Sequence, residues 1–396
     1  MAKLIDITGK ALSGEWGTDD ETGNGIPVLR TTNFTNEGIV NYENVVTRII
    51  TKKNIQEKFL RPGDIILEKS GGSDKQPVGR VIYYDGPANT YLFNNFTGLL
   101  RVREPDVWLA RYVFYSLFAN YRKGGTREFE NKTTGLHNLK TDAYVARFEV
   151  ADASYSQQIA VCDHLDRLCE IINLRQKQLN LLDDLIKARF VEMFGDPEYN
   201  TLDWPVKKLN ALCNVGSSKR IYQEEQTMDG IPFWRISDLI AKMDTGNVES
   251  SLYIPEIKYE ELKKQGLVPE PGDILVTSRG TLGRCYIISP NDRFYFQDGM
   301  ISWLSRYADE ITPVYIQYLF DMPGFKKQID SMQAGSTVAY LSIAMLKKLN
   351  IMLPDRERQE QFACFVSQID KSKVAVQKSL DETQLLFNSL MQKYFG

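Results

Sequence analysis

Two stretches of the chain place apolar residues in alternating steps of three and four. One runs Cys162, Leu165, Cys169, Ile172, Gln176, Leu179, Asp183, Ile186, Phe190, Met193, and the other Ile369, Lys373, Val376, Leu380, Thr383, Phe387, Leu390, Tyr394. That spacing predicts two helices, each with a coiled-coil seam broken by a few polar positions. Neither 156–194 nor 359–395 contains Pro or Gly, so each helix can run about 55 Å at ~1.5 Å per residue. A seam sustained that far, twice, favours helices packed on one another over two surface helices that each cover their own domain. Gly195-Asp196-Pro197 stops the first helix and turns the chain back. The expected pair is therefore antiparallel, with a globular part at either end.

Outside these stretches the apolar runs are short and punctuated by turns, and they occur twice. GIPVLR at 25–30 returns as GIPFWR at 230–235, and Arg61-Pro62-Gly63-Asp64-Ile65-Ile66-Leu67 returns as Glu270-Pro271-Gly272-Asp273-Ile274-Leu275-Val276. Gly79-Arg80 returns as Gly283-Arg284. From Phe93 to Ala160 the expected offset is 203, which pairs Arg103 with Arg306, Tyr112 with Tyr315, Thr134 with Thr337 and Ala160 with Ala363. A period near 200 is too long for a solenoid, so the chain reads as a tandem domain duplication. In each copy P-G-D predicts a turn feeding a buried strand. A loop of glycines, hydroxyls and bases follows (Lys69 to Lys75; Ser278 to Arg284), then another strand and an aromatic helix near Tyr112–Phe118 and Tyr315–Phe320. The predicted class is α+β: globular domains at 1–155 and 196–358, with long helices at 156–195 and 359–396.

Composition narrows the function. With 396 residues, no apolar run near the ~20 needed to span a bilayer and no apolar leader in MAKLIDITGKALSGEWGTDD, the expectation is a cytoplasmic globular protein with no membrane partner. Five cysteines without a CxxC and two histidines, His137 and His164, assemble no zinc site of known spacing. The histidines read as structural, and Cys162 and Cys169 as small core hydrophobes. There is no P-loop, no G-x-S-x-G and no H-E-x-x-H. Asp196-Pro197-Glu198-Tyr199 reads as a helix-stop linker, and Asp64 with Glu68 as a structural carboxylate pair. The net charge of -3 argues against a generic nucleic-acid binder. Its distribution is uneven, however: residues 52–140 carry 15 basic and 9 acidic side chains, and 141–200 carry 6 and 11.

The doubled GIP-x-x-R, the doubled PGD-I-[IL], and the stretch from Gly335-Ser336-Thr337 through Leu349-Asn350-Ile351-Met352-Leu353-Pro354 to Glu360-Gln361-Phe362-Ala363 resemble the DNA-specificity subunit of type I restriction-modification systems. The first copy departs from the family pattern, since Phe148-Glu149-Val150-Ala151-Asp152 has no proline and Gln157-Gln158-Ile159-Ala160 replaces the Glu-Gln form. The resemblance implies two target-recognition domains, each reading one half of a bipartite site in double-stranded DNA, with the helix pair setting the gap. It also implies a chain without catalytic activity or cofactor of its own. Two modification (methyltransferase) subunits would carry S-adenosylmethionine, and restriction subunits would add ATP with Mg. The alternative from another class is a coiled-coil scaffold whose duplicated domains bind protein or carbohydrate, which the pI of 5.7 favours.

The residues expected at the DNA are Lys69, Ser70, Lys75 and Arg80 in one copy and Arg279, Thr281 and Arg284 in the other. Their hydroxyls, ammonium and guanidinium groups suit phosphates and base edges. Arg30 and Arg235, closing the GIP-x-x-R segments, are candidates too, weighed against a buried salt bridge that organises the turn. Leu165, Ile172, Leu179, Ile186, Val376, Leu380, Phe387 and Leu390 mark the helices expected to dock partner subunits.

Overall fold

The computed structural model describes residues 1–133, 136–333 and 339–396. Thr134 and Gly335-Ser336-Thr337, used above in the repeat and the resemblance, lie outside the described residues. The chain forms two compact units, Met1–Gln176 with Lys378–Gly396, and Lys177–Gln377.

The first unit is built on an antiparallel sheet in the order Leu12–Ser13, Thr97–Leu100, Asp64–Glu68, Val81–Tyr84. The second has the same order in Asn214–Gly216, Ile301–Ser305, Ile274–Thr277, Cys285–Ile287. The strand after each P-G-D is covered on both faces. Ile65 and Leu67 join the core under helix Ala110–Arg122, whereas Ile66 packs with Leu29, Ile82 and Phe93. Ile274 and Val276 divide from Leu275 in the same way. Cover on both faces is why these strands read as continuous apolar runs. The turns ahead of them need glycine, since Gly63 and Gly272 sit at φ 95° and 93°. Each aspartate then reaches back three residues: Asp64 accepts from the Arg61 N–H at 2.8 Å and Asp273 from the Glu270 N–H at 2.9 Å.

A second sheet in each unit contains a parallel pair, Val28 opposite Leu92 in one and Phe233 opposite Tyr295 in the other. The loop between the two strands after P-G-D differs between the copies. It takes residues 68–80 in the first unit and 277–284 in the second, thirteen against eight. The longer version is not all loop, contrary to expectation. Ser70–Gly72 forms a strand against Leu136–Leu139, which itself pairs with Glu130–Thr133. The extra residues suffice to reach that hairpin, and the neighbouring residues support the pairing, with the Leu139 N–H donating to the Lys69 carbonyl at 2.8 Å.

The long helices are Tyr155–Phe194 and Arg356–Phe395. In the first unit Cys162 and Leu165 share a core with Phe387 and Met391. In the second, the Phe190 and Phe362 rings lie 5.5 Å apart, and Asp183 pairs with Lys373. Residue 190 meets 362 while 183 meets 373, so the helices run antiparallel there. Two of the polar breaks in the heptads are thus partners of one another.

Two buried glutamines tie the start of each long helix to its unit. Gln158 accepts from the Leu109 N–H at 2.8 Å and donates to the carbonyls of Val107 and Ala153 at 3.0 and 3.1 Å. Gln359 accepts from the Thr312 N–H at 2.8 Å and donates to Glu310 and Pro354 at 2.9 and 2.8 Å. These glutamines are 201 residues apart, so the expected offset of 203 does not continue into the helices. Ala160 and Ala363 are not structural counterparts.

Candidate nucleic-acid interface

The two Gly-Arg corners are alike in backbone and different in side chain. Gly79 and Gly283 adopt φ 108° and 78°, and a Cβ on either would meet a packed neighbour, Thr126 at 2.7 Å or Ile329 at 2.8 Å. The residue ending the preceding strand caps the next N–H: Glu68 accepts from Arg80 at 3.4 Å, and the Thr277 hydroxyl from Arg284 at 3.0 Å. The guanidinium groups then diverge. Arg80 turns inward onto Glu68, at 2.9 and 3.2 Å, and onto the carbonyls of Thr31 and Phe34. Burial works against the Arg80 charge, but the Glu68 carboxylate outweighs it and holds the guanidinium more firmly protonated. Arg284, lacking that carboxylate, pairs with the half-exposed Asp244 at 2.6 Å.

Lys69 donates from Nζ to the Ser13 hydroxyl at 2.9 Å, and its pKa is depressed by burial and by the nearby Lys58 charge. Ser70 is half-buried in its strand and Lys75 is exposed beside the Ser73–Gln76 turn. Thr281 is exposed, and its carbonyl accepts from the Thr277 hydroxyl. Arg279 is exposed, with its guanidinium 5.4 Å from the Tyr340 ring centre.

The GIP-x-x-R segments end on a helical cap. The Arg30 N–H donates to the Asn33 side chain and the Arg235 N–H to Asp238, each at 2.9 Å. Arg30 sends its guanidinium to the Asn44 carbonyl at 3.2 Å. Arg235 is exposed, 3.7 Å from Asp238 and bonded to Ser251. The turn is organised by a side-chain cap on the backbone and not by a buried salt bridge, because the first copy has asparagine where that carboxylate would stand.

Much of the positive charge in 52–140 is committed internally. Arg101 grips Asp64 at 2.6 and 2.7 Å, and Arg111 bonds Asp166 at 2.7 Å. Lys58 and Lys52 close on the buried Glu15, holding its carboxyl below the usual range. Both suspected structural carboxylates, Asp64 and Glu68, are therefore arginine partners. His137 is buried with Nδ1 3.2 Å from Glu130. Burial pushes the Cys162 thiol up to about 12.

Of the helix positions named above, Leu165, Ile186, Val376, Leu380 and Phe387 are buried, and Ile172, Leu179 and Leu390 are half-buried. They face the seam. The apolar side chains left outward include Leu174, Leu181 and Leu185 on the first helix and Val374 and Leu385 on the second.

Sequence reasoning missed a cleft of about 510 Å³ in the second unit, lined by Arg220, Gln226, Arg279, Gln297, Asp298 and Tyr340 among others. Arg220 donates to Asp298 at 2.8 Å. The pair Lys219-Arg220 was a visible signal. The glutamines follow no periodicity that would single them out.

A duplicated α+β unit with hydroxyl, amide and guanidinium groups on short loops, joined to long helices, has the fold of type I restriction-modification S subunits. The chain superposes on the S subunit from M. genitalium with a TM-score of 0.59 at 15% identity, covering 100% of this chain and 95% of that one. A structure of a type I restriction-modification system gives 0.55 at 15% identity, covering 100% and 96%. Residues 201–383 match the family model described as type I restriction modification DNA specificity domain. A type I restriction enzyme specificity subunit of Haemophilus influenzae is 29% identical over 190 residues, 48% of this chain and 45% of that protein. The MjaX specificity subunit of Methanocaldococcus jannaschii is 28% identical over 200 residues, 49% and 45%. The matched region thus spans about half the length of these relatives. The second half of the chain thus matches the type I restriction modification DNA specificity domain, and the chain as a whole has the fold of the S subunits.

Proposed function

We propose that the chain is the non-catalytic specificity subunit of a type I restriction-modification complex, each unit reading one half of a bipartite site in double-stranded DNA. The observation that carries this reading is the duplicated architecture: one sheet order, one P-G-D turn and one Gly-Arg corner, repeated in two units whose surface groups at that corner differ. A common scaffold with different surface groups is what two different half-sites require. On this reading the tandem repeat supplies two readers and the long helices, acting as a coiled coil, set the gap between half-sites. Outward leucines such as Leu174 and Leu181 meet two modification subunits. Those subunits carry S-adenosylmethionine, restriction subunits add ATP with Mg, and the assembly works in the cytoplasm. Partner subunits then supply phosphate contacts that a chain of net charge -3 lacks. Among the described residues no helix is long and apolar enough to cross a membrane.

The test is a gel shift on random-sequence duplexes with and without a modification subunit, followed by sequencing of the bound fraction. A two-part motif with a fixed gap is the expected result. Binding without any motif, or no binding in the presence of the partner, refutes the reading and returns the scaffold alternative.

A further inference from the structure

The cleft in the second unit has the chemistry of a base reader. Arg279 lies over the Tyr340 ring, and the chain around the pair is braced. The Leu341 N–H donates to the Ser278 carbonyl at 3.0 Å, the Ser278 N–H to Met300 at 2.9 Å, and the buried Ser278 and Ser302 hydroxyls meet at 2.8 Å. The residues flanking Arg279 and Tyr340 are therefore bonded to one another, which holds the exposed guanidinium beside the ring, 5.4 Å from its centre. Gln297 follows the parallel strand, its backbone fixed by the Trp234 carbonyl at 2.9 Å. Gln226 and Gln297 are half-buried in the cleft wall, and neither side-chain amide has a hydrogen-bond partner among the described residues.

The remaining wall decides which part of a nucleic acid fits. Asp298 lines the cleft and holds Arg220 by its Nε at 2.8 Å. A carboxylate repels a phosphate, whereas it tolerates the exocyclic amino groups of bases. An arginine fork matches guanine O6 and N7, and a glutamine amide matches adenine N6 and N7 in the major groove. Resting on the DNA-reading function proposed above, we infer that this cleft reads purine edges of one half-site, with Arg279 selecting guanine, Gln297 and Gln226 selecting adenine, and Tyr340 positioning Arg279.

The experiment uses the full chain with a modification subunit, selecting bound duplexes from a random pool. Arg279→Ala should reduce the preference for one guanine by roughly 5- to 150-fold, and Gln297→Ala should do the same at an adenine of the same half, leaving the other half unchanged. Arg279→Lys keeps the charge and loses the fork, so it should retain binding while the guanine preference falls. Unchanged motifs in all three variants overturn the inference while leaving the DNA-reading function standing. A uniform loss of affinity on every sequence overturns it in favour of a phosphate contact. A wild-type complex that selects no motif overturns both.

Discussion

Gln359 offers the sharpest test of how the long helices are joined to their units. Its amide is fully buried and makes three bonds to backbone, one accepted from Thr312 and two donated to Glu310 and Pro354. Thr312 also caps the aromatic helix Pro313–Asp321. Gln359→Ala strands one N–H and two carbonyls in a site without solvent. At ~1 kcal/mol for each bond lost, the second unit should lose about 3 kcal/mol. Gln359→Glu is more informative. One carboxylate oxygen can still accept from Thr312, but the other faces two carbonyl oxygens, so the folded state raises the acid's pKa above its unfolded value. Between those two values the folded protein binds the extra proton, and stability falls as pH rises through the folded pKa. Gln359→Glu should therefore be less stable than Gln359→Ala at pH 8 and recover at pH 5, where the protonated acid donates to one carbonyl. Urea unfolding followed by tryptophan fluorescence at both pH values measures this. A loss below about 1 kcal/mol for the alanine variant, or a wild-type pH dependence for the glutamate variant, would refute the clamp.

The two P-G-D aspartates should respond oppositely to neutralisation. Asp64→Asn breaks a two-bond arginine pair and should cost about 2–3 kcal/mol. Asp273→Asn should be neutral or mildly stabilising, because Oδ2 takes both bonds, from Glu270 and Trp303, and burial already raises that acid's pKa. The wild-type second unit should accordingly gain stability as pH falls through the raised Asp273 pKa toward 3.8, a gain absent from Asp273→Asn in the same urea titration. Arg80→Ala should lower stability by about 3 kcal/mol by stranding the buried Glu68, whereas Arg284→Ala, whose partner is exposed, should cost under about 1 kcal/mol. Equal losses in paired thermal melts would contradict the different roles assigned to them. One heptad inserted in each long helix, between 172 and 180 and between 376 and 384, adds about 10 Å in phase. The selected gap should then lengthen by about three base pairs, and an unchanged gap would deny the helices their spacing role.

The elements most legible in the sequence were those whose pattern has one physical cause. A step of three and four over ten positions has no common source but a helix seam, and Phe190 meets Phe362 as the seam requires. A three-residue apolar run after P-G-D has no polar face, and the structure covers both sides of it. Length differences were less legible. Five extra residues after Glu68 preserved the composition of a loop while providing enough chain to form Ser70–Gly72, and composition does not distinguish an exposed strand of Ser-Gly-Gly from a turn.

Charge was the most misleading signal, for a reason visible at Arg80. A basic residue in a polar loop looks available until the carboxylate that faces it is located, and that carboxylate, Glu68, sits twelve residues away on a strand. Replacing it with Thr277 in the second copy keeps the cap on the following N–H and releases the arginine outward to Asp244. One substitution at a strand end thus changes which groups the corner presents without disturbing the sheet beneath it. The P-G-D turn, the positive-φ glycine and the buried glutamine recur because each satisfies backbone groups that every copy must satisfy. The guanidinium groups are free of that constraint, so their partners differ between the copies, Glu68 for Arg80 and Asp244 for Arg284. On the proposed function, that is where two half-sites would come to differ.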